Sequence, residues 1–403
     1  MQKSFDRLEE LIAPVTPERF FSDFWEKQFL HLEKGPGTFD HLFSIRDVDR
    51  WLMTVRGGPA DSVSITAPEG ASGFQKYRPQ DLAIDSVYEA FANGRSVVLN
   101  YLENCWPPLM GLVKGLGHDF CAEIGVNVYL TPKGKRTFSV HTDDHDVFIL
   151  QVNGEKVWRL YELKYLSVMR LEHKQDLEVP AEWGPSRLET PLAAELRLRP
   201  GDVLYIPRGM PHCAIAEDST SLHLTASIMP FYWTDALKAA VEQASYSSPE
   251  LRKTLLPGFV SNPAARDEMR AQFARAMQAF ADNASYDSVF NVLRRNRLRA
   301  QGYPLDGHFS HVDPSRELTP ESVIERRGTV LCFVESPEPG FCSIRFASRH
   351  IRGPERLRRA FEFVRDSSRF TVSQLPGLDD NGKMVLVRRL IREGLLQFAE
   401  HMP

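Results

Sequence analysis

The stretch GDVLYIPRGMPH, residues 201–212, decides the fold predicted for this chain. Its DVLYI part, residues 202–206, predicts a strand because β-branched and aromatic residues dominate it. The sequence PRG at 207–209 then predicts a tight turn. His212 follows at the start of the next strand, where its side chain is expected to face the mouth of a β-barrel, a usual place for small-molecule sites.

Short predicted strands surround this stretch. The dipeptide Asn153-Gly154 joins two of them and is the strongest short signal for a β-hairpin. Many short strands separated by Gly, Pro and Asn turns are typical of a barrel or a sandwich. The predicted strands are 96–101, 124–130, 138–141, 146–152, 156–161, 195–198, 202–206, 212–216 and 221–229.

A second motif, His141-Thr142-Asp143, lies among these strands. Residues two apart in a strand point to the same face with Cβ atoms about 7 Å apart, a workable span for two ligands of one metal. Together with His212 they complete a triad of two histidines and one carboxylate, which is diagnostic of non-haem iron(II) oxygenases. A lone HxD motif is weak evidence, so the prediction depends on its combination with residues 201–212.

Helical patterns flank the β region. Before it, helices are predicted to begin at Pro17, with Thr16 as N-cap, and to cover 47–55 and 81–91. After it, residues 234 to about 301 are wholly helical, with no catalytic cluster. The elements predicted beyond residue 233 are helices 235–243, 264–281, 286–298, 354–365, 371–375 and 383–393, and strands 328–334 and 342–346.

Composition excludes several classes of protein. The 403 residues are too many for one ordinary core, so two or three domains are expected. A net charge of -4 makes neither a polyanion nor a membrane surface the default partner. The sequence has no run of about 18 apolar residues and no signal-peptide pattern. Its five scattered cysteines suit a reducing compartment, so a cytoplasmic protein is expected.

Both motifs resemble a known family. Gly201, Pro207, Gly209 and His212 match the second cupin motif, G-x5-P-x-G-x2-H, in full. Residues 141–162, HTDDHDVFILQVNGEKVWRLYE, resemble the corresponding segment of JmjC-type 2-oxoglutarate oxygenases, most closely their ribosomal oxygenase branch. That branch hydroxylates arginine or histidine side chains of ribosomal proteins.

The resemblance implies an α+β chain of three domains. Residues 1–233 are expected to form a double-stranded β-helix barrel of the cupin, jelly-roll and JmjC type. Residues 234–303 are expected to form a helical dimerisation module, and 304–403 a winged-helix-like domain. It also implies Fe(II) and 2-oxoglutarate as cofactors, a protein or peptide substrate such as a ribosomal protein, and a homodimer.

The resemblance assigns the iron ligands and a partner for the cosubstrate. His141, Asp143 and His212 correspond to the iron ligands. Lys156 corresponds to the basic residue that pairs with the distal carboxylate of 2-oxoglutarate, a group that needs a charge-assisted partner when it is buried. Some bacterial arginine hydroxylases of the branch carry Arg at this position. The presence of Lys156 therefore weakens the expectation that this chain hydroxylates arginine.

Further residues are assigned with less detail. Asn127 and Ser227 correspond to positions that bind the cosubstrate. Tyr129 lies two residues beyond Asn127 along the same face, and His145 lies two beyond Asp143; both are expected to face the substrate. His223 is expected to be a core residue.

Alternative functions stay open at this point. The same fold serves hydroxylases of small peptides or natural products, and no substrate groove can be identified from sequence. A non-catalytic alternative is a nucleic-acid-binding regulator, because residues 345–392 contain 12 Lys/Arg against five Asp/Glu. No aromatic platform accompanies these charges, so nucleic acid is not expected to be a partner.

Overall fold

The computed structural model describes residues 7–399 except 56, 58, 68–72, 164–189, 263–264, 301–306 and 329. The chain divides into two compact units, Met1–Pro230 and Phe231–Pro403. Within the described residues, no helix is both long and apolar enough to cross a membrane.

The first unit contains two antiparallel sheets. One has eight strands in the order β1-β10-β7-β12-β5-β4-β2-β3, and the other has four in the order β6-β11-β8-β9. The strands are β1 Leu30–Leu32, β2 Val63–Thr66, β3 Phe74–Tyr77, β4 Val97–Leu99, β5 Glu123–Thr131, β6 Lys135–Arg136, β7 Asp146–Asn153, β8 Lys156–Tyr161, β9 Leu192–Leu198, β10 Val203–Ile206, β11 His212–Ala216 and β12 Ser221–Met229.

Helices cover one face of the larger sheet. They are α1 Leu8–Ile12, α2 Pro17–Arg19, α3 Ile45–Thr54, α4 Ile84–Ala92 and α5 Met110–Asp119, with a π-helical turn at Phe20–Phe24. Thr16 caps α2, as predicted, by accepting a hydrogen bond from the Arg19 backbone N–H. Apolar side chains of these helices, such as Phe20 and Trp51, form one core with the sheet.

Strand alternation separates that core from the barrel interior. In β12, Leu222, Leu224, Ala226 and Ile228 belong to the core under the helices. Their neighbours of opposite parity point the other way, because successive side chains in a strand alternate between faces. A smaller apolar cluster from β7, β8, β9 and β10 fills part of the interior, and includes Val147, Ile149, Trp158, Leu198 and Leu204.

One predicted strand and one predicted hairpin are wrong. Residues 138–141 form no strand; His141 makes only an isolated bridge with His212. Asn153-Gly154 does not close a hairpin, because β7 pairs with β10 and β12 whereas β8 pairs with β11 and β9. The turn instead carries the chain from one sheet to the other. Gly154 has φ +62, and an added Cβ would lie 1.9 Å from the Thr220 carbonyl oxygen, so the tight crossing requires glycine.

The second unit is helical first and mixed afterwards. Its helices are α6 Trp233–Ser247, α7 Ala265–Asn283, α8 Tyr286–Ala300, α9 His308–Val312, α10 Arg358–Asp366 and α11 Asp380–Arg392. Its strands form two three-stranded sheets: β13 Val323–Arg326 between β17 Arg369–Thr371 and β18 Leu396–Phe398, and β15 Phe341–Phe346 between β14 Cys332–Glu338 and β16 Arg349–Pro354. The division at residue 303 and the winged-helix-like character of the last part stay predictions.

Candidate metal centre and its cavity

His141, Asp143 and His212 converge on one point. The His141 Nε2 lies 3.8 Å from one carboxylate oxygen of Asp143, and the His212 Nε2 lies 3.5 Å from the other. One ligand atom from each residue lies within 4.8 Å of the other two. These three are the only such cluster of His, Cys, Asp or Glu in the described part of the chain. The spacing suits three ligands on one face of a metal ion.

Backbone carbonyls fix both imidazoles in the tautomer that a metal requires. The His141 Nδ1 donates to the Ser139 carbonyl at 2.9 Å, and the His212 Nδ1 donates to the Met210 carbonyl at 2.9 Å. Each Nε2 therefore keeps its lone pair and faces the carboxylate. Burial lowers the pKa of His212, which keeps this imidazole neutral, the form that binds a metal.

The three ligands do not converge through the alternation of side chains in a strand, as was predicted for His141 and Asp143. His141 and Asp143 are not two residues of one strand. His141 is held by its bridge to His212, and the Asp143 carbonyl accepts a hydrogen bond of 2.9 Å from the Gly209 N–H. The turn before His212 therefore positions the carboxylate as well as the second histidine.

A buried ion pair anchors that turn. Arg208, 5% exposed, contacts Glu26 at 2.6 Å and Asp146 at 3.8 Å through its guanidinium nitrogens. The Tyr205 hydroxyl donates to Asp146 at 2.6 Å. Burial raises the pKa of Asp146 to about 6, although Tyr205 and Arg208 both favour its ionised form. This cluster holds the strand end and turn that precede His212.

The triad opens into a cavity of about 170 Å³. All eight site residues predicted from the sequence line it. Its lining consists of Asn127, Tyr129, Thr137, Phe138, His141, Asp143, His145, Ile149, Lys156, Trp158, His212, Ala214, His223, Thr225 and Ser227.

Lys156 is the buried cation of this cavity. Its side chain is 2% exposed, and its ammonium donates to the Thr131 hydroxyl at 3.0 Å. No carboxylate among the described residues pairs with it, and burial lowers its pKa to about 7. A buried ammonium with one neutral partner is costly, so the site is suited to an anion.

Two other buried polar groups of the lining have no hydrogen-bond partner among the described residues. The His223 Nδ1 and the Trp158 Nε1 make no hydrogen bond within the described structure. The His223 ring stacks on Tyr129 with centroids 4.9 Å apart and planes 4° from parallel. Burial raises the pKa of Tyr129 to about 12, so its phenol stays protonated at neutral pH. Unsatisfied polar groups around a cavity point to a polar ligand, since buried polar groups are almost always satisfied.

His145 is not part of the three-residue cluster. Its Nδ1 donates to the Asp144 carboxylate at 2.8 Å. Burial disfavours its charged form, but Asp144 and the nearby Asp143 outweigh burial and raise the pKa of His145.

The sequence pattern does not single out three threonines of the site: Thr137 and Thr225 line the cavity, and Thr131 accepts a hydrogen bond from Lys156. It predicts His223 as a core residue. A usable signal existed for Thr131, which follows Asn127 and Tyr129 at strand spacing. His223 is buried, as expected, yet lies against the cavity.

Comparison with known proteins places this site in a family. Residues 116–236 match the JmjC domain family. The chain is 32% identical over 226 residues to the bifunctional lysine-specific demethylase and histidyl-hydroxylase NO66 of Drosophila willistoni, covering 55% of this chain and 28% of that protein. It is 32% identical over 282 residues to ribosomal oxygenase 1 of Gallus gallus, covering 66% and 46%. The chain thus spans less than half the length of these relatives.

The fold is shared with a solved structure. The chain superposes on the ribosomal oxygenase YcfD of Escherichia coli, determined in complex with cobalt and 2-oxoglutarate, with a TM-score of 0.53 and 16% identity. The match covers 96% of this chain and 99% of that one. At this identity the likeness establishes a common fold.

Proposed function

Because the chain is a JmjC-domain protein, we propose that it is an iron(II)- and 2-oxoglutarate-dependent oxygenase that hydroxylates a side chain of a protein. The observation that carries the proposal is the arrangement of the cavity. Three metal-ligand atoms converge at one place, and a buried lysine without a carboxylate partner lines the same cavity. The triad suits the metal that one end of 2-oxoglutarate would chelate, and the lysine suits the carboxylate at the other end.

The residues fit the metal. His141 and His212 offer neutral Nε2 atoms, and Asp143 offers a carboxylate between them. Two imidazoles and one carboxylate on one face of the ion leave its other positions open, as non-haem iron(II) oxygenases require. When bound, iron(II) and 2-oxoglutarate supply the activation of dioxygen that inserts one oxygen atom into a C–H bond and leaves succinate and carbon dioxide.

The remaining lining residues fit the cosubstrate. Lys156 holds the far carboxylate by a charge-assisted hydrogen bond, and Thr131 orients the ammonium. Asn127 and Ser227 line the same cavity and would supply further polar atoms to the cosubstrate.

We infer that the substrate is an arginine or histidine side chain of a ribosomal protein. The names of the relatives support this, since they include a histidyl-hydroxylase and ribosomal oxygenases. Tyr129 and His145 line the cavity beside the metal ligands, where they would contact the incoming side chain.

Incubation with ribosomal protein fragments tests the proposal. Iron, 2-oxoglutarate and the chain should release succinate and add one oxygen atom to a fragment, detected by mass spectrometry. The Asp143→Ala variant should do neither. Equal conversion of 2-oxoglutarate by metal-free and iron-loaded protein would refute the oxygenase.

We also propose that the chain forms a homodimer through its helical segment. Helices α6 and α8 pack through Ala236, Ala240 and Val289, yet large apolar side chains remain exposed on the other faces of the segment. Trp233 is 78% exposed and Tyr246 81%. Trp233, Leu237 and Val241 share one face of α6 at four-residue spacing, and an exposed apolar face of this kind marks a protein interface. The exposed set includes Trp233, Leu237, Val241, Tyr246, Phe273, Met277, Tyr286 and Phe290.

Light scattering tests the dimer. The chain should have twice its monomer mass at micromolar concentration, and Leu237→Glu should make it monomeric. Lys238→Glu, at an exposed neighbouring position, should leave the dimer intact. A monomeric mass for the unmodified chain would contradict this proposal.

A further inference from the structure

A second cavity lies in the second unit, apart from the metal centre. Its volume is about 590 Å³, and we call it the arginine groove. One wall is α11, and the other is α9 with the segment that follows it. The lining residues are His311, Val312, Asp313, Pro314, Arg316, Leu318, Val385, Arg388, Arg389, Ile391, Arg392 and Phe398.

The solvent-exposed face of helix α11 lines this groove. Val385, Arg388, Arg389 and Arg392 follow one another at spacings of three and four residues, so they share one helix face. All four are exposed, and all four line the groove. The opposite face packs into the core of the unit through Leu386, Val387, Leu390 and Ile391. This exposed face therefore borders a concave site, whereas the exposed face of an ordinary surface helix borders only bulk water.

Four arginines line the groove, and two of them have no carboxylate partner among the described residues. Arg389 and Arg392 both contact Glu393, at 2.9 and 3.9 Å. Arg388 and Arg316 form no ion pair with any described residue. The Arg316 guanidinium lies 4.1 Å from the Phe398 ring centroid and donates to the Ser310 carbonyl. The groove therefore offers at least two guanidinium groups to a ligand.

The one carboxylate of the lining is already engaged. Asp313 accepts hydrogen bonds from the backbone N–H and the hydroxyl of Ser315, at 2.8 and 2.7 Å. These bonds hold the pKa of Asp313 below its usual value. Arg316 and Arg388, which form no ion pair with a described residue, leave the groove positive, while the exposed Val385 and Pro314 and the partly exposed Val312 give it apolar surface.

We propose that the arginine groove binds an acidic peptide segment that also carries apolar side chains. Guanidinium groups bind carboxylates through paired hydrogen bonds, and clusters of arginines recognise acidic motifs. The apolar part of the lining suits leucine-like side chains between the acids. Single-stranded nucleic acid would need exposed rings for base stacking, whereas the two aromatic rings of the lining, His311 and Phe398, are both buried.

Fluorescence anisotropy with the full chain tests the assignment. The probe is a short labelled peptide of alternating glutamate and leucine, at about 0.15 M salt so that long-range charge effects are screened. Its comparison peptides replace glutamate by glutamine, or leucine by alanine. The variant is Arg316→Gln with Arg388→Gln. The matched control is Arg356→Gln with Arg369→Gln, two exposed arginines of the same unit outside the groove.

The expected result is binding of the acidic peptide that weakens about tenfold or more in the groove variant and is unchanged in the control. Both comparison peptides should also bind more weakly. Equal weakening in both double variants would overturn the proposal, as would stronger binding of a single-stranded RNA that depends on Arg316 and Arg388. Succinate release without peptide should be the same in both double variants, so this inference stands or falls separately from the oxygenase.

Discussion

The backbones of His141 and His212 exchange two hydrogen bonds, with N–H to carbonyl distances of 3.1 and 2.9 Å. The two imidazoles are therefore brought side by side by main-chain pairing, with ring centroids 4.4 Å apart, and not by contacts of their side chains. A site built on paired backbone is preformed. Its side chains can be replaced without losing the geometry that held them.

Replacing Asp143 by alanine should abolish metal binding and leave the fold intact. Its side chain is only partly buried, and the hydrogen bond from Gly209 goes to its backbone carbonyl, which the substitution retains. Titration with Co(II), followed by its visible absorption, should show affinity at least about 100-fold lower than for the unmodified chain.

Asp144→Ala is the matched control, because Asp144 is adjacent but outside the three-residue cluster. It should bind Co(II) as the unmodified chain does. Unfolding temperatures of both metal-free variants should lie close to that of the unmodified chain. Undiminished Co(II) binding by the Asp143 variant would show that the metal lies elsewhere.

Lys156 should make binding of 2-oxoglutarate pH-dependent. Burial lowers the pKa of its ammonium to about 7, so part of the free protein carries a neutral amine at neutral pH. The dicarboxylate prefers the charged form and must raise this pKa on binding. Affinity should therefore fall as pH rises above 7, by up to about tenfold per unit, until the pKa of the complex is reached.

Calorimetric titration with 2-oxoglutarate, in two buffers of different ionisation enthalpy, measures the number of protons that the protein takes up on binding. Lys156→Arg should bind without that uptake, because a guanidinium stays charged. Comparison of the two proteins cancels the titration of the metal ligands. Lys156→Met should weaken binding by about 10- to 100-fold. Identical proton uptake in the lysine and arginine proteins would mean that Lys156 is not the group concerned.

Local patterns predicted the elements of the site well. The strands that carry Lys156 and His212 have the predicted bounds, and so does β12, which carries Ser227. These segments combine apolar alternation with turn residues, and both signals are local. The position of His212 could also be predicted, because Gly201, Pro207 and Gly209 define the turn that precedes it. The way in which His141 and Asp143 converge on it could not, because they do not lie in the strand that the pattern predicted.

Strand pairing could not be predicted in the same way. Asn153-Gly154 has the local chemistry of a hairpin, but β7 and β8 find better partners in distant parts of the chain. The contact of Lys156 with Thr131 and the unsatisfied Nδ1 of His223 depend likewise on packing between strands. The sequence pattern of His223 is that of any buried strand residue.

Loss of Arg208 should destabilise the first unit. Its guanidinium is buried between Glu26 and Asp146, and removing one member of a buried ion pair leaves the other charges uncompensated. Arg208→Met should lower the free energy of unfolding by about 3–5 kcal/mol, measured by urea denaturation. Arg369→Met, at an exposed position, should change it by less than about 0.5 kcal/mol.

The effect of Arg208→Met should also depend on pH. Without the guanidinium, the pKa of Asp146 rises further above its present value of about 6. The charge penalty of the variant is then fully present above that raised pKa and is lost as pH falls to about 6, below which Asp146 is protonated in both folded proteins. The difference between variant and unmodified chain should therefore be smaller at pH 5 than at pH 8. A difference independent of pH would show that lost packing, not charge, dominates.

Gly201 should tolerate no side chain, because of a close backbone contact. Its φ is +96, and an added Cβ would lie 1.7 Å from the Gly35 carbonyl oxygen. Gly201→Ala combines backbone strain with a clash against main chain, and should lower the free energy of unfolding by about 3 kcal/mol or more.

Gly134 is the matched control: its φ is +72, but an added Cβ meets nothing within 4 Å. Gly134→Ala should cost only the strain of left-handed backbone, about 1–2 kcal/mol. The difference between the two variants in urea denaturation isolates the contact with Gly35. Equal losses would mean that the first glycine of the 201–212 motif is required for its backbone conformation alone.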